Sequence, residues 1–250
     1  MEKYFYDMIF KRKSFHNFKD IPDSKISDET IKDIENKFYS FTPLIKDIKV
    51  KIKFVKDNEN YKKNQEYLIF MYSQKKDNYL QNIGYLGEQL DLYLASINIG
   101  ALWFGLGKTK MKKEDGLDFV IMIAIKKVDS SLFRKTITDV PRLELSKIIS
   151  GDYYKDNIKD IRYAPSAVNS QPWFLETSKD YIKVYRIRRD SKTGILPIRF
   201  VNYLNRIDIG ILLCFLDVCL LKNNIEYTKE LYIEENVNKK KNLTAVYSIK

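Results

Sequence analysis

Hydrophobic residues recur along the chain at two different periods, and these periods predict the order of its elements. Apolar positions three and four residues apart predict helices in the segment up to Lys13, in 27–38 and between Tyr79 and Ile99. Ser27 is placed to cap the second of these helices, and Gly100 to end the third. The first half of the chain is therefore predicted to contain one long apolar helix after two shorter ones.

Strands are predicted where apolar residues alternate with polar ones or form short unbroken runs. Apolar residues alternate with lysines from Ile48 to Phe54, which predicts a strand with one solvated face, and FVIMIAI at 119–125 predicts a strand buried on both faces. The second half is predicted to hold a helix over ELSKII (144–149), a loop over RYAPSAVNSQPW (162–173), a strand over Tyr181–Ile187, a long helix over Asp208–Lys222 and a final strand over LTAVYSI (243–249).

The order of elements in 27–125 returns in 143–249, which suggests a duplicated unit. We expect an α+β fold built from two related halves, 1–128 and 129–250, that together form one compact unit. Ordinary alternation of helices and strands produces the same pattern by chance about as readily, so both origins stay open at this point.

Composition narrows the class of protein. Hydrophobic residues make up 44% of the chain, and 9 Gly with 6 Pro leave little room for long irregular linkers. The beginning of the sequence shows no apolar leader and the longest apolar run is short, so we expect a cytoplasmic protein without a membrane partner. Cys214 and Cys219 are expected to be buried and inert, and the single histidine, His16, argues against a multi-histidine metal site.

The net charge of +11 comes from 35 Lys and 9 Arg that are scattered along the chain. Such a charge attracts anions in general, including phosphorylated cofactors. A basic nucleic-acid-binding protein is a rival interpretation, but recognition of phosphate and guanine favours clustered arginines. We therefore expect a small-molecule partner and no nucleic acid.

The first candidate for chemistry is RKSFHNF at 12–18, which follows the first helix. Arg12 offers a bidentate donor, Lys13 a point charge and Ser14 a short hydroxyl donor, with His16 as a third potential cation. This combination is that of a phosphate receptor. A solvated run of cations is the simpler alternative.

Two further stretches carry donors, acceptors and aromatic rings. In APSAVNSQPW at 164–173 two prolines bracket small and amide residues, so a rigid loop can present polar groups to the edge of a heterocycle. In IGALWFG at 99–105 small residues and two aromatics follow the long helix. A tight polar turn and a core aromatic pair are the structural alternatives.

Together RKSFHNF, PSAVNSQPW and GALWFG resemble motifs of the nitroreductase family of FMN flavoproteins, and in particular its single-chain subgroup with two related halves. The resemblance implies a nitroreductase-like fold with a mixed sheet, long central helices and an internal pseudo-dimer. It further implies FMN as cofactor, NADH or NADPH as reductant, and a small planar electron acceptor such as a nitroaromatic or a quinone. The isoalloxazine carries such chemistry, so no catalytic side chain is assigned.

The resemblance also assigns cofactor-binding residues. Arg12, Lys13, Ser14 and His16 would hold the phosphate, ribityl chain and pyrimidine edge, Pro165, Ser166, Asn169 and Gln171 would line the other side of the flavin, and Trp103 and Gly105 would lie beside the isoalloxazine. His16 departs from the family, which usually has Arg or Lys there. This substitution supports a second rival, a flavin-binding protein without reductase activity.

The spacing of the motifs differs from that of the family's homodimers, whose sites combine the two motifs from two subunits. Here about 150 residues separate them within one chain. We therefore expect a monomer able to form one complete site with one FMN. Two related halves would also create a second position, related to this site by symmetry, that pairs FTPLIKD (41–47) with the region around Arg142. We expect this symmetry-related position to be empty or filled by side chains.

Overall fold

The computed structural model describes residues 1–22, 25–56, 63–137, 140–188, 196–234 and 239–250. Its helices are α1 (Phe5–Lys11), α2 (Asp28–Ser40), α3 (Tyr79–Ser96), α4 (Leu145–Ile148), α5 (Lys155–Ile158) and α6 (Ile198–Lys222). Its strands are β1 (Val50–Val55), β2 (Tyr67–Ser73), β3 (Ile99–Trp103), β4 (Lys113–Glu114), β5 (Leu117–Lys127), β6 (Ile149–Ser150), β7 (Trp173–Thr177), β8 (Tyr181–Ile187), β9 (Tyr227–Leu231) and β10 (Lys241–Ile249). Short 3₁₀ turns cover 130–132, 159–163 and 167–169.

The strands form two sheets, one in each half of the chain. The first has the order β1-β2-β5-β3, with β4 beside β5, and the second has the order β6-β7-β8-β10-β9. Leaving out the short β4 and β6, the two orders are the same when β1, β2, β3 and β5 are matched with β7, β8, β9 and β10. The pairing of β6 with β7 is parallel, and the other pairings described are antiparallel. The α+β class is confirmed.

The long helices α3 and α6 pack against each other at the centre of the molecule, and glycines allow them to approach. A Cβ added to Gly84 would lie 2.0 Å from the Ile207 carbonyl oxygen, and one added to Gly210 would lie 1.9 Å from the Gln81 carbonyl oxygen. The same sequence spacing separates Gly84 from Gly210 and Gln81 from Ile207, so the contact is reciprocal. Two related halves about a two-fold axis would produce this arrangement. A duplicated origin stays a prediction.

The ends of the long helices differ from those predicted. α3 ends at Ser96, and Asn98 then turns the chain with a φ of 59°, a conformation that asparagine adopts at low cost. Gly100 is therefore not a helix stop; it lies in β3, where an added Cβ would be 2.9 Å from the Phe15 ring. α6 begins at Ile198 rather than Asp208, because polar residues in its first turns hide the apolar pattern.

Other elements were predicted only in part. The Ser27 hydroxyl accepts a hydrogen bond from the Thr30 amide at 3.1 Å, which confirms the cap of α2. The strand predictions for β1, β5, β8 and β10 are confirmed within a few residues, and the ELSKII helix shortens to α4. Strands β2, β3, β7 and β9 were not predicted.

Both cysteines, Cys214 and Cys219, are free and buried, and burial raises the pKa of each thiol. This confirms the expectation that they are core residues. Within the ranges that the structure describes, no helix has the length and apolar character needed to span a membrane.

Candidate functional site

Two adjoining cavities lie where the first and second halves of the chain meet. They share five lining residues: Ser14, His16, Pro165, Ser166 and Val168. The apolar cavity has a volume of about 320 Å³ and is also lined by Lys63, Leu102, Trp103, Phe104, Gly105, Leu106, Ile121, Ala167, Leu196, Leu204, Ile207, Asp208 and Ile211. The cationic cavity has a volume of about 730 Å³ and is also lined by Lys13, Phe133, Arg134, Lys135, Thr136, Val140, Pro141, Arg142 and Asn169. Residues of both sequence motifs thus meet within one chain.

The segment after α1 reaches the cavities because it is tied to β3. Ser14 forms a parallel bridge with Ala101, and the Phe15 amide donates to the Ala101 carbonyl at 3.0 Å. Ser14 and His16 consequently lie at the junction of the two cavities. Lys13 is exposed and lines the cationic cavity, with its Nζ 3.3 Å from the Leu132 carbonyl.

Arg12 lies behind the cavity wall instead of facing a ligand. It is 1% exposed, and its Nε is 3.0 Å from Asp91 Oδ2 and 3.8 Å from Glu88 Oε1. Its Nη2 donates to the Ser14 hydroxyl at 3.2 Å. Arg12 is not among the residues that line either cavity. The structure thus places it where it fixes Ser14, with its charge balanced by α3.

Trp103 and Gly105 line the apolar cavity. The Trp103 Nε1 donates to Glu88 Oε2 at 3.2 Å, and a Cβ on Gly87 would be 2.4 Å from the indole ring. Burial, and then the nearby Asp91, raise the pKa of Glu88 well above its usual range, although Arg12 opposes them. A hydrogen-bonded acid and a glycine of α3 therefore hold the indole against the cavity.

The loop over 164–172 carries backbone strain beside the cavities. Val168, Asn169 and Gln171 have φ values of 48°, 53° and 44°, and a β-branched residue is a rare occupant of this left-handed region. Strained backbone of this kind persists only where the surroundings hold it, and it concentrates at functional sites. Here the Ser166 hydroxyl accepts the Gln171 amide at 2.9 Å, and the Ala167 amide lies 3.1 Å from each oxygen of Asp208.

Asn169 and Gln171 contact the segment that connects the two halves. Asn169 Oδ1 accepts from Arg142 Nη1 at 2.7 Å, and its Nδ2 donates to the Pro141 carbonyl at 3.0 Å. Gln171 is 6% exposed and its Oε1 accepts from the Leu143 amide at 2.9 Å. Asn169 lines the cationic cavity, and Gln171 lines neither cavity. Because Asn169 binds Arg142 and Gln171 binds the next residue along the chain, the two amides together position Arg142.

Arg134 and Arg142 were missed as site residues. Arg134 Nη1 donates to the Arg12 carbonyl at 2.9 Å, which attaches the connecting segment to the N-terminal motif. Burial, and then the positive charge of Arg12, lower the pKa of both Arg134 and Arg142 to about 10. Half-buried guanidinium groups that repel one another favour the binding of an anion between them. The basic residues that follow the buried run at 119–125 were the only sequence signal for them.

The placement of Arg142 at the symmetry-related position was wrong. Its side chain lies on Asn169 in the cationic cavity, beside the N-terminal motif. The error arose because the order of elements suggested that this segment is the counterpart of the first motif in the second half. The connecting segment instead folds back over the site.

Asp208 was also missed, and it lines the apolar cavity from α6. It is 4% exposed, and its Oδ2 accepts from Asn205 Nδ2 at 2.8 Å. Burial raises the pKa of Asp208 to about 7, against the opposing effect of the hydrogen bonds from Asn205 and Ala167. The site therefore contains a carboxyl group that exchanges its proton near neutral pH.

Residues 5–219 match the family model described as "Putative TM nitroreductase". A crystal structure from Thermotoga maritima titled as a putative nitroreductase has a TM-score of 0.64 and 17% identity, over 98% of this chain and 93% of that chain. This likeness confirms the nitroreductase fold.

Two further similar structures are described as "Putative NADH dehydrogenase/NAD(P)H nitroreductase". That from Parabacteroides distasonis has a TM-score of 0.45 and 14% identity, and that from Bacteroides thetaiotaomicron has a TM-score of 0.47 and 15% identity. Each match covers 61% of this chain and 100% of the chain to which it is compared. A comparison with curated proteins found none similar to the chain. Since the family model spans most of the sequence, the chain belongs to this nitroreductase family, a family of oxidoreductases.

Proposed function

We propose that the chain is an FMN-dependent oxidoreductase that moves electrons from NADH or NADPH to a small planar acceptor, such as a nitroaromatic or a quinone. One observation carries this proposal: an apolar cavity walled by Trp103 opens onto a second cavity lined by Arg134 and Arg142. FMN has the same division, a planar ring at one end and a dianionic phosphate at the other.

The residues present fit FMN in two respects. The lowered pKa values of Arg134 and Arg142 show that their charges are incompletely compensated, and a phosphate would accept charge-assisted hydrogen bonds from both. The apolar cavity is lined mainly by aliphatic and aromatic side chains, which suits the isoalloxazine. Ser14 and His16, at the junction, would lie beside the ribityl chain and the polar edge of the ring.

Bound FMN would supply the two-electron chemistry, taking hydride from the nicotinamide and passing electrons to the acceptor. The chain's own residues would then orient and shield it. Leu204, Ile207 and Ile211 of α6 exclude water from one side of the cavity, and Trp103 closes another. Arg142, held by Asn169, fixes the phosphate end, and the strained loop after Pro165 supplies the wall that both cavities share.

Both motifs meet within one chain, so we propose that a single chain binds one FMN and acts as a self-sufficient unit. Equilibrium titration with FMN, followed by flavin fluorescence, should saturate at one FMN per chain. FMN should bind at least about tenfold more tightly than riboflavin, because each charge-assisted hydrogen bond contributes about 1.5–3 kcal/mol. Equal affinity for the two would contradict the phosphate assignment.

Stopped-flow mixing of the FMN complex with NADH or NADPH under anaerobic conditions tests the reductase activity. Loss of flavin absorbance with either nucleotide is the expected result. A complex that binds FMN but keeps its absorbance would instead be a flavin-binding protein without a nicotinamide-dependent activity, which was the rival suggested by His16.

A further inference from the structure

Asp208 lies where the strained loop meets the apolar cavity. Its two oxygens are each 3.1 Å from the Ala167 amide, and the side chain lines the cavity beside Ile207 and Ile211. An ionised carboxylate at an apolar cavity costs free energy compared with a neutral group of the same shape. The carboxylate therefore requires an explanation beyond packing.

The other half of the molecule makes the same contact with a neutral amide. Asn82 lies two residues before the crossing glycine of α3, as Asp208 does before that of α6. Its Oδ1 accepts from the Ile45 amide at 2.9 Å. Ile45 and Ala167 are each the second residue after a proline, so the two contacts correspond. An amide is enough to hold such a loop on its helix, and the acidity of Asp208 is not needed for that purpose.

The surroundings of Asp208 accommodate both of its protonation states. Among the residues that the structure describes, Asn205 Oδ1 is a buried acceptor without a hydrogen-bond partner. A half-turn of this amide would let Oδ1 accept the proton of a neutral Asp208. The other titratable groups that face this region are Glu88 on α3, which interacts electrostatically with Asp208, and His16 and Lys63, which line the same cavity.

We propose that Asp208 is a proton-exchanging positioning residue, which binds a proton when a planar ring fills the apolar cavity and which holds Ala167 in both forms. The inference rests on the proposed function, because the ring is the isoalloxazine. A ring that displaces water from the cavity removes the solvation of the carboxylate and so favours its neutral form. The proton comes from the solvent, and no other bond changes.

The direction of the pH dependence follows from the pKa of Asp208, which is about 7 in this structure and which a bound ring should raise further. Above pH 7 the free protein must gain a proton to bind the ring, so binding weakens as the pH rises. Affinity should fall by about tenfold between pH 7 and 8.5, since one proton is linked to binding. Below about pH 6 the same dependence should disappear.

The test uses riboflavin, because the phosphate of FMN itself titrates near pH 6. Riboflavin dissociation constants are measured from pH 5.5 to 8.5 for the wild type, Asp208→Asn and His16→Gln. The asparagine variant copies Asn82, so it should keep the loop contact, bind riboflavin and lose the pH dependence. His16→Gln should retain it, which separates Asp208 from the other ionisable side chain at the junction of the two cavities.

Direct measurement of protons avoids reliance on a variant. When wild-type protein binds riboflavin at pH 8 in weak buffer with an indicator dye, uptake of close to one proton per chain is expected. No uptake, or an equal pH dependence in Asp208→Asn and wild type, overturns the role of Asp208 while riboflavin binding itself leaves the flavin assignment standing. Failure of both riboflavin and FMN to bind at any pH would overturn both.

Discussion

Each of the two long helices carries a buried acid near a sheet, and the surroundings of the two acids differ. Glu88 of α3 bonds Trp103, and the indole borders an apolar cavity of about 320 Å³. Asp217 of α6 accepts from the Tyr85 hydroxyl at 2.5 Å and from Lys229 Nζ at 2.6 Å, within a closed cluster of side chains. One neighbourhood borders an open cavity, and the other is occupied by its own side chains.

The positions that differ are equivalent in the two halves. Trp103 lies on β3 and pairs with Ile123 of β5, and Lys229 lies on β9 and pairs with Tyr247 of β10. Both β3 and β9 are the last strand in the order of their sheet. Tyr85 follows the crossing glycine of α3, where Ile211 follows that of α6. Lys229 also lies over the Tyr85 and Tyr247 rings, at 4.8 and 5.4 Å from their centroids. The same framework therefore supports an open site or a closed polar core, according to a few side chains.

The largest effect is expected from the two cations that pair with buried aspartates, Arg12 and Lys229. Arg12→Met leaves Asp91 buried without its partner and should lower the free energy of unfolding by about 3–5 kcal/mol, as for other broken buried ion pairs. Lys229→Met should cost less, about 1–3 kcal/mol, because Asp217 keeps the Tyr85 hydroxyl. Urea denaturation measures both. A greater loss for Lys229→Met would reverse the ranking of the two clusters.

Ile211→Tyr gives the apolar cavity the residue that lies at the equivalent position in the closed cluster, where Tyr85 follows the crossing glycine of α3. The ring should fill the apolar cavity and weaken FMN binding at least about a hundredfold, which is about 2.7 kcal/mol. Overpacking should lower stability by about 1–3 kcal/mol, leaving the protein folded. Ile211→Val, which keeps the space, is the control for FMN titration. Normal FMN binding by the tyrosine variant would place the flavin elsewhere.

Strong periodicity made part of the fold predictable. The cores of α3 and α6 and the buried run of β5 followed from their apolar spacing. β3 was hidden because Ile97 continues the helical spacing of α3 to within two residues of the strand, and only the left-handed turn at Asn98 separates helix from strand. The run YLIFMYS of β2 is buried throughout and is as unbroken as that of β5, and it was overlooked.

The site was predictable as far as its motifs reach. Ser14, His16, Trp103, Gly105, Pro165, Ser166 and Asn169 all line one or both cavities, and Lys13 lines the cationic one. The buried positions of Arg12 and Gln171, and the presence of Arg134, Arg142 and Asp208, depend on how distant segments pack. The spacing of residues along the chain does not depend on such packing. Which cations are buried and which line the cavity therefore could not be predicted from the sequence.

Arg142→Ala tests the cationic part of the open site. FMN binding should weaken by about 1.5–3 kcal/mol, the usual contribution of a hydrogen bond to a charged group, while riboflavin binding should stay the same. Lys183→Ala, on β8 and not among the lining residues, removes the same charge and serves as the control. If both variants lose the same affinity, the arginine contributes only net charge.

The smallest effect is expected at Lys13, which faces the same cavity but from its exposed rim. Solvent screens an exposed cation and its flexible side chain loses entropy on binding, so Lys13→Ala should weaken FMN binding only about twofold. This difference should vanish in 1 M salt, where the screening length is about 3 Å, whereas that of Arg142→Ala should largely persist because its guanidinium is half-buried. Titrations of both variants at low and high salt make the comparison. A Lys13 effect as large and as salt-resistant as that of Arg142 would mean that the N-terminal motif, rather than the connecting segment, holds the phosphate.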